Sequence, residues 1–278
     1  MDLSIIIITL NNKRILEECI NSIRRSTKSI SYEIIVVDNN SSDGTQANIR
    51  SKYPDIALIE NKKNLGFSGA NNMGLKIARG RYFALLNDDT YLKEDAFSKM
   101  IEFLDNETGI GICGPKLLNT DGSIQQPGSI FSAYKWRSNS PTEINFVIGA
   151  CMFIRADVIK KIGLLDENLF FYNEDLDLCK RARSAGFKVV YYPDSHIFHY
   201  GGYSSKRAPN MMLFVEGFRG GLYFCKKHYG PIIYSIYRAL LLIFTLAMIP
   251  FSFMNKGKLN SYREILQIIL KEQIVSET

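Results

Sequence analysis

The sequence predicts an α/β protein on a mostly parallel central sheet flanked by helices, and three observations carry that prediction. Short continuous runs of aliphatic, largely β-branched residues recur early in the chain, as expected of strands buried on both faces. Apolar residues at helical spacing follow these runs, and several of the runs stop at a string rich in Asn and Asp. The 46% hydrophobic and 12% aromatic content of 278 residues can bury a sizeable core in one large domain or in one domain plus an appendage, and excludes a disordered chain.

Taken in order, Ile5 to Leu10 reads as the first strand, ended by Asn11 and Asn12. Ile15, Leu16, Cys19, Ile20 and Ile23 then recur at helical spacing. Ile34 to Val37 is a second strand that stops at Asp38, and the polar residues to Gly44 turn the chain and offer caps for a helix from about Gln46 to Ser51. Ile56 to Ile59 is a third strand, Ala70 to Ala78 a helix, and Tyr82 to Leu86 a fourth strand ending at Asn87-Asp88-Asp89. Beyond residue 110 the pattern loosens, and Gly109 to Ile130 reads as Gly-, Pro- and Ser-rich loop on a variable acceptor side. Phe146 to Ile154 is a further strand candidate, a helix runs from Asn173 to a stop at Gly186, and Lys188 to Tyr192 is a last strand before Pro193.

The formal charge of +6 is too small and dispersed for a nucleic-acid footprint, but it suits an anionic substrate or an anionic lipid surface. Five widely spaced cysteines without a C-x-x-C pair indicate neither a disulfide framework nor a zinc ribbon, so a reducing, cytoplasmic compartment is expected. The first residues lack the basic leader of a secretory signal and read as a buried strand.

In parallel sheets of this kind ligands bind at the carboxyl ends of the strands, where Asn11, Asp38 and the Asn87 to Asp89 turn collect. Two carboxylates and an amide on one tight turn form an oxygen-rich set that Mg²⁺ or Mn²⁺ accepts. Such a turn more often satisfies only its own backbone, and the independent placement of Asp38 at a neighbouring strand end raises the functional reading. Asp38 can accept from a base imide or a ribose hydroxyl. The loop from Asn64 through Gly66 to Asn71 enters a helix, so its backbone N–H groups can approach a phosphate, although it lacks the P-loop lysine and the G-x-G-x-x-G pattern. Glu174 and Asp175 open a helix, where acids are favoured by the macrodipole alone; either can also serve as a general base toward an attacking hydroxyl. His199 can complete a metal shell.

In order, SIIIITLNN, IIVVDNNSSDGT, NLGFSGANNMGL, YFALLNDDT, GACMFIR, FFYNEDLDLCKRARSAG and HYGG resemble the family 2 glycosyltransferases of the GT-A fold, particularly the rhamnosyltransferase branch, over residues 3 to about 205. The resemblance implies an inverting, single-displacement transferase moving one sugar, rhamnose among the candidates, from a dTDP- or UDP-sugar to a glycan or lipid-linked glycan in cell-surface polysaccharide synthesis. It implies nucleotide-sugar contacts from Thr9, Asn11, Asp38, Asn64, Gly66, Asn71, Asp88 and Gly149. It gives Mg²⁺ or Mn²⁺ to Asp89 and His199, and makes Asp175 the base with Glu174 beside it. Asn87 departs from the Asp that many relatives carry, which leaves Asp89 as the direct metal ligand. The only tryptophan, Trp136, does not form the Q-x-x-R-W motif of processive synthases, so addition of one or a few sugars is expected.

Residues 1–210 form the expected catalytic domain and 211–278 a helical appendage. Within the appendage, 231–254 is apolar, is interrupted by Arg238 and Pro250, and is flanked by Lys226, Lys227, Lys256 and Lys258. Its uncharged core is slightly short of a bilayer span, which suits an interfacial helix or re-entrant hairpin on the inner face of the cell membrane; a buried or homodimer helix is the plainer alternative. A sugar nucleotidyltransferase would need a Gly-rich, Arg- and Lys-bearing loop immediately after the first strand, where Thr9-Leu10-Asn11-Asn12-Lys13-Arg14 stands instead. A non-enzymatic carbohydrate-binding or scaffold descendant would have lost an acid, and all are present.

Overall fold

The computed structural model describes residues 1–125, 134–201, 210–253 and 255–272. Its first half alternates β1 (Leu3–Thr9), α1 (Lys13–Ser26), β2 (Tyr32–Asp38), α2 (Thr45–Lys52), β3 (Ala57–Glu60), α3 (Gly66–Leu75) and β4 (Tyr82–Asn87). There follow β5 (Thr90–Tyr91), α4 (Ala96–Asn106), β6 (Ile110–Leu118), β7 (Thr142–Glu143) and β8 (Cys151–Arg155). Then come α5 (Ala156–Ile162), α6 (Glu174–Ser184), β9 (Lys188–His199), α7 (Asn210–Phe251) and α8 (Lys256–Lys271).

One sheet orders these strands β3-β2-β1-β4-β8-β6-β9-β5, with β7 on β9. The pairs β3/β2, β2/β1 and β1/β4 are parallel, β8 runs antiparallel to both β4 and β6, and β6/β9 is parallel again. Alternate residues of β1 enter two cores: Leu3, Ile5 and Ile7 pack on one face and Ile6 on the other, as do Ile34 and Val36 against Ile35 and Val37 in β2. Burial on both faces is why these strands read as unbroken apolar runs. Connections leave β1 toward β2 on one side and arrive at β4 on the other, so the carboxyl ends of β1 and β4 border the crevice where such sheets bind ligands.

Three expectations need correction. The region expected to be loose from Gly109 contains β6, an interior strand nine residues long. Its Gly111, Gly114 and Pro115 weakened the apolar signal, and the register with β9 shifts between Ile110 and Ile112 and again between Pro115 and Lys116. The expected strand from Phe146 begins only at Cys151. The last strand does not stop at Tyr192 but continues past Pro193 to His199, because the second register shift takes up residues 193–195. Residues 126–133 of the expected acceptor loops, Gly202 of the HYGG segment and Met254 of the tail lie outside the described residues.

In the tail, α7 breaks at Gly230 (φ 75°, ψ 175°) just before Pro231. Its two parts and α8 bury Val215, Leu222, Cys225, Tyr234, Leu241, Tyr262, Ile265, Ile268 and Ile269 together. The tail is tied to the sheet domain by charge: Lys227 Nζ lies 2.6 Å from Asp166 Oδ2 and 2.7 Å from Asp177 Oδ1, and His228 Nε2 lies 2.7 Å from the same Asp177 atom. All five cysteines are buried and free.

Candidate active site

The parallel register sets Thr9 beside Asp38, and Ile8 beside Asn87, so three strand ends open on one edge. Asp38 is fully buried, and its Oδ2 accepts from Ser41 N at 2.9 Å and Gln46 Nε2 at 2.6 Å. Its Oδ1 is buried with no hydrogen-bond partner among the described residues. A buried carboxylate oxygen left bare costs about 1–3 kcal/mol or more, and the N–H of a base bound there would remove that cost. Asn11, in the left-handed region (φ 55°), accepts from Ser42 N at 2.7 Å through Oδ1, and its own N–H donates to Ser41 Oγ at 2.8 Å. It shapes the same loop.

The second wall is the loop entering α3. Asn64 Oδ1 accepts from Asn39 Nδ2 at 2.6 Å and Gly66 N at 2.9 Å. Gly66 has φ +70°, and a Cβ there would collide with the Phe170 carbonyl and ring, so no other residue fits without displacing Phe170. Phe67 N then donates to Phe170 O at 2.7 Å, which pins the loop to the segment leading into Glu174. Asn71 Nδ2 donates to Phe67 O at 3.1 Å, while its buried Oδ1 has no partner among the described residues.

In the turn after β4 the two aspartates have different partners. Asp88 Oδ2 accepts from Thr9 Oγ1 at 2.7 Å and from Asn12 Nδ2 at 3.1 Å. Thr9 and Asp88, both expected to touch the nucleotide-sugar, meet each other at this turn. Asp89 Oδ1 lies 3.0 Å from His199 Nε2, a meeting that depends on β9 reaching past its register shift to pair His199 with Thr90. Among the described residues no group of three or more His, Cys, Asp or Glu suits a metal. A carboxylate and an imidazole converging on one point nevertheless fit a divalent cation that takes its other ligands from diphosphate oxygens and water.

The acids are presented by strained backbone. Tyr172 (φ 70°) and Asn173 (φ 71°) are consecutive non-glycine residues in the left-handed region, a costly arrangement typical of functional sites. Asp175 Oδ1 accepts from Leu176 N at 2.8 Å, and Gly149 N–H also supports this carboxylate. Burial outweighs these bonds and lifts the Asp175 carboxyl to about 6. Glu174, buried and next to Asp175, is pushed well above the usual carboxylate range by burial first and by the Asp175 charge second, and its Oε2 has no hydrogen-bond partner among the described residues. Asn87 N donates to Ala150 O at 3.0 Å, so Gly149 and Ala150 link the Asp175 carboxylate to the metal-type turn.

Sequence reasoning missed Gln46, Asn12 and the Phe170 pin. Each is an ordinary polar or aromatic residue whose role exists only once distant elements meet. Asn12 alone carried a signal, following Asn11 at the first strand end.

The sequence model described as Glycosyl transferase family 2 matches residues 4–163, more than half of the chain. The N-acetylglucosaminyl-diphospho-decaprenol L-rhamnosyltransferase of Mycobacterium tuberculosis (strain ATCC 25618 / H37Rv) is 24% identical over 232 residues, covering 71% of this chain and 76% of that protein. The low-salt glycan biosynthesis hexosyltransferase Agl10 of Haloferax volcanii is 28% identical over 203 residues, covering 68% and 64%. The chain spans only 24% of the length of an uncharacterized Sinorhizobium fredii protein to which it is 28% identical over 220 residues. Among solved structures, the mannosyltransferase PcManGT of Pyrobaculum calidifontis, in complex with GDP-Man and Mn²⁺, superposes with TM-score 0.62 at 15% identity, covering 98% of this chain and 87% of that one. S. aureus TarS 1-349 gives TM-score 0.60 at 15% identity, covering 98% and 92%. These likenesses fix the fold as GT-A.

Proposed function

Since the chain belongs to glycosyl transferase family 2, we propose that it moves one sugar, with inversion, from a nucleoside-diphosphate sugar to a hydroxyl of a glycan or lipid-linked glycan. The observation that carries the reading is Asp175: a carboxylate lifted to about 6 and linked through Gly149 and Ala150 to the Asn87–Asp89 turn. A base of that strength is ionised at pH 7 yet basic enough to take a hydroxyl proton as its oxygen attacks. The acceptor oxygen forms its bond to the anomeric carbon, the carbon–oxygen bond to the diphosphate breaks on the opposite face, and the proton goes to Asp175. In this reading Asp38 Oδ1 receives the base N–H and Asn71 Oδ1 accepts from a donor hydroxyl. Asp89 and His199 would hold Mg²⁺ or Mn²⁺, which when bound supplies positive charge for the departing diphosphate.

The acceptor side supports an amphiphilic substrate. Asn173 borders a groove of ≈ 420 Å³ lined also by Phe224, Cys225, Tyr229, Ile233 and Tyr237. Beyond it α7 exposes Ile232 (75%), Ile236 (56%), Leu240 (61%) and Ile243 (65%), an apolar stripe at helical spacing. Arg238 turns away from the stripe, donating to Ile269 O at 2.9 Å. A peripheral position on the inner membrane leaflet, apolar stripe inward, suits this arrangement. Rhamnose is the first donor to test, on the strength of the rhamnosyltransferase relative. The test is a panel of dTDP-, UDP- and GDP-sugars scored by thermal stabilisation with Mn²⁺ and with EDTA. A stabilising donor whose effect is lost in EDTA is expected; no stabilisation by any of them would refute the reading.

A further inference from the structure

We propose that Gln125 is a positioning residue that keeps the proton of His199 on Nδ1 and so turns the Nε2 lone pair toward Asp89. The proposal rests on the metal reading above. It follows from the direction in which a chain of side-chain hydrogen bonds must run.

The chain starts at Asp121, whose carboxylate can only accept. Ser123 Oγ lies 2.7 Å from Asp121 Oδ1, so the hydroxyl proton points there. With that proton committed, Ser123 Oγ accepts from Asn119 Nδ2 at 2.8 Å. This orients the Asn119 amide and leaves its Oδ1 to accept from Gln125 Nε2 at 3.0 Å. Gln125 is oriented in turn, and its Oε1 faces His199 Nδ1 at 2.6 Å. An amide oxygen has no proton to give, so Nδ1 must carry one. A neutral imidazole carries only one N–H, and Nε2 is then bare.

Nε2 meets one donor and one acceptor. Asn87 Nδ2, a donor, lies 3.4 Å away. Asp89 Oδ1 lies 3.0 Å away, and a carboxylate oxygen and a ring lone pair at that distance repel unless a proton or a metal ion lies between them. The neutral tautomer set by Gln125 leaves the place to a metal ion. In water a neutral histidine favours the Nε2–H form, which would point a proton at the cation, so the relay works against the intrinsic preference. Backbone fixes its register: Asn119 N donates to Ser123 O at 2.8 Å, and Gln125 N to Leu117 O at 2.9 Å. Gly201 (φ +71°) closes the other side, where a Cβ would stand 3.0 Å from Gln125 Nε2.

The test uses the full chain and two variants, Gln125→Leu and Gln125→Glu. Ring-nitrogen NMR of the metal-free protein at pH 8 should show His199 protonated on Nδ1 in wild type and in Gln125→Glu, whose carboxylate also accepts. In Gln125→Leu the Nε2–H form should dominate. Mn²⁺ binding, followed by electron paramagnetic resonance with UDP and with dTDP present, should weaken about 10- to 100-fold in Gln125→Leu and be retained in Gln125→Glu. An unchanged tautomer in Gln125→Leu, or a changed one with undiminished Mn²⁺ affinity, overturns the assignment. A wild type that binds no Mn²⁺ under any of these conditions overturns the metal reading instead, and the nitrogen spectra still judge the tautomer.

Discussion

Replacing Asp175 by Asn should stabilise the protein while disabling it. Burial lifts the Asp175 carboxyl from 3.8 to about 6. The folded state therefore binds more protons than the unfolded one between those values, and its stability falls as pH rises through that window. Above about pH 6 the cost is constant. Each pKa unit corresponds to about 1.4 kcal/mol, so the ionised carboxylate costs at most about 3 kcal/mol at pH 7.5. Asn keeps an oxygen for the N–H groups of Leu176 and Gly149 but carries no charge. Thermal denaturation at pH 7.5 should show a gain of up to about 6–12 °C for a chain of this length, shrinking to nothing near pH 4. Turnover should drop roughly 10²- to 10⁴-fold, and the tenfold loss of kcat/KM per pH unit below about 6 expected for wild type should be absent. A variant no more stable than wild type at pH 7.5, or one whose gain persists at pH 4, would refute the desolvated-base argument; turnover within a few-fold of wild type would remove Asp175 from the chemistry.

Two further outcomes test other parts of the site and tail. Asp38→Asn places an amide that can point N–H at the base N–H, so nucleoside-diphosphate affinity measured by calorimetry should fall about 10- to 100-fold, while the bond from Ser41 keeps the loop in place; unchanged affinity would show that the bare oxygen does not meet the base. Ile236→Glu with Leu240→Glu puts two charges on the exposed stripe of α7 and should abolish flotation of the full chain with anionic phosphatidylglycerol vesicles without loss of soluble donor hydrolysis. Binding that survives the pair would exclude this face as the membrane contact.

How much of this was legible in the sequence depends on how local the cause is. The β1, β2 and β4 runs are apolar because both of their faces are buried, so their existence follows from composition alone. Asp38, Asn87, Asp88 and Asp89 could be placed at one edge because parallel strands end together. β6 was not legible: its two glycines and a proline look like loop, and only its seat between β8 and β9 makes it a strand. The different partners of Asp88 and Asp89 were also out of reach from the residues themselves. They depend on Thr9 and Asn12 arriving from β1 and on His199 arriving from β9, separated from Asp89 in sequence by more than a hundred positions.

The pattern of unmet polar atoms gives the site a thermodynamic reason to bind ligands. Asp38 Oδ1, Asn71 Oδ1 and Glu174 Oε2 are buried and lack hydrogen-bond partners among the described residues. They come from β2, α3 and α6; the parallel register sets Asp38 beside Thr9, and the Phe67–Phe170 bond ties the loop entering α3 to the segment before α6. Each costs about 1–3 kcal/mol in the unliganded protein, and a ligand that supplies N–H or O–H groups at those points recovers that amount in addition to its own contacts. A scaffold that had lost its substrate would be under pressure to fill these positions with apolar side chains or to pair them internally, as Thr9 and Asn12 pair Asp88. Asp38 and Glu174 keep bare carboxyl oxygens where the neighbouring Asp88 accepts from Thr9 and Asn12, an arrangement that suits a site taking up a polar ligand.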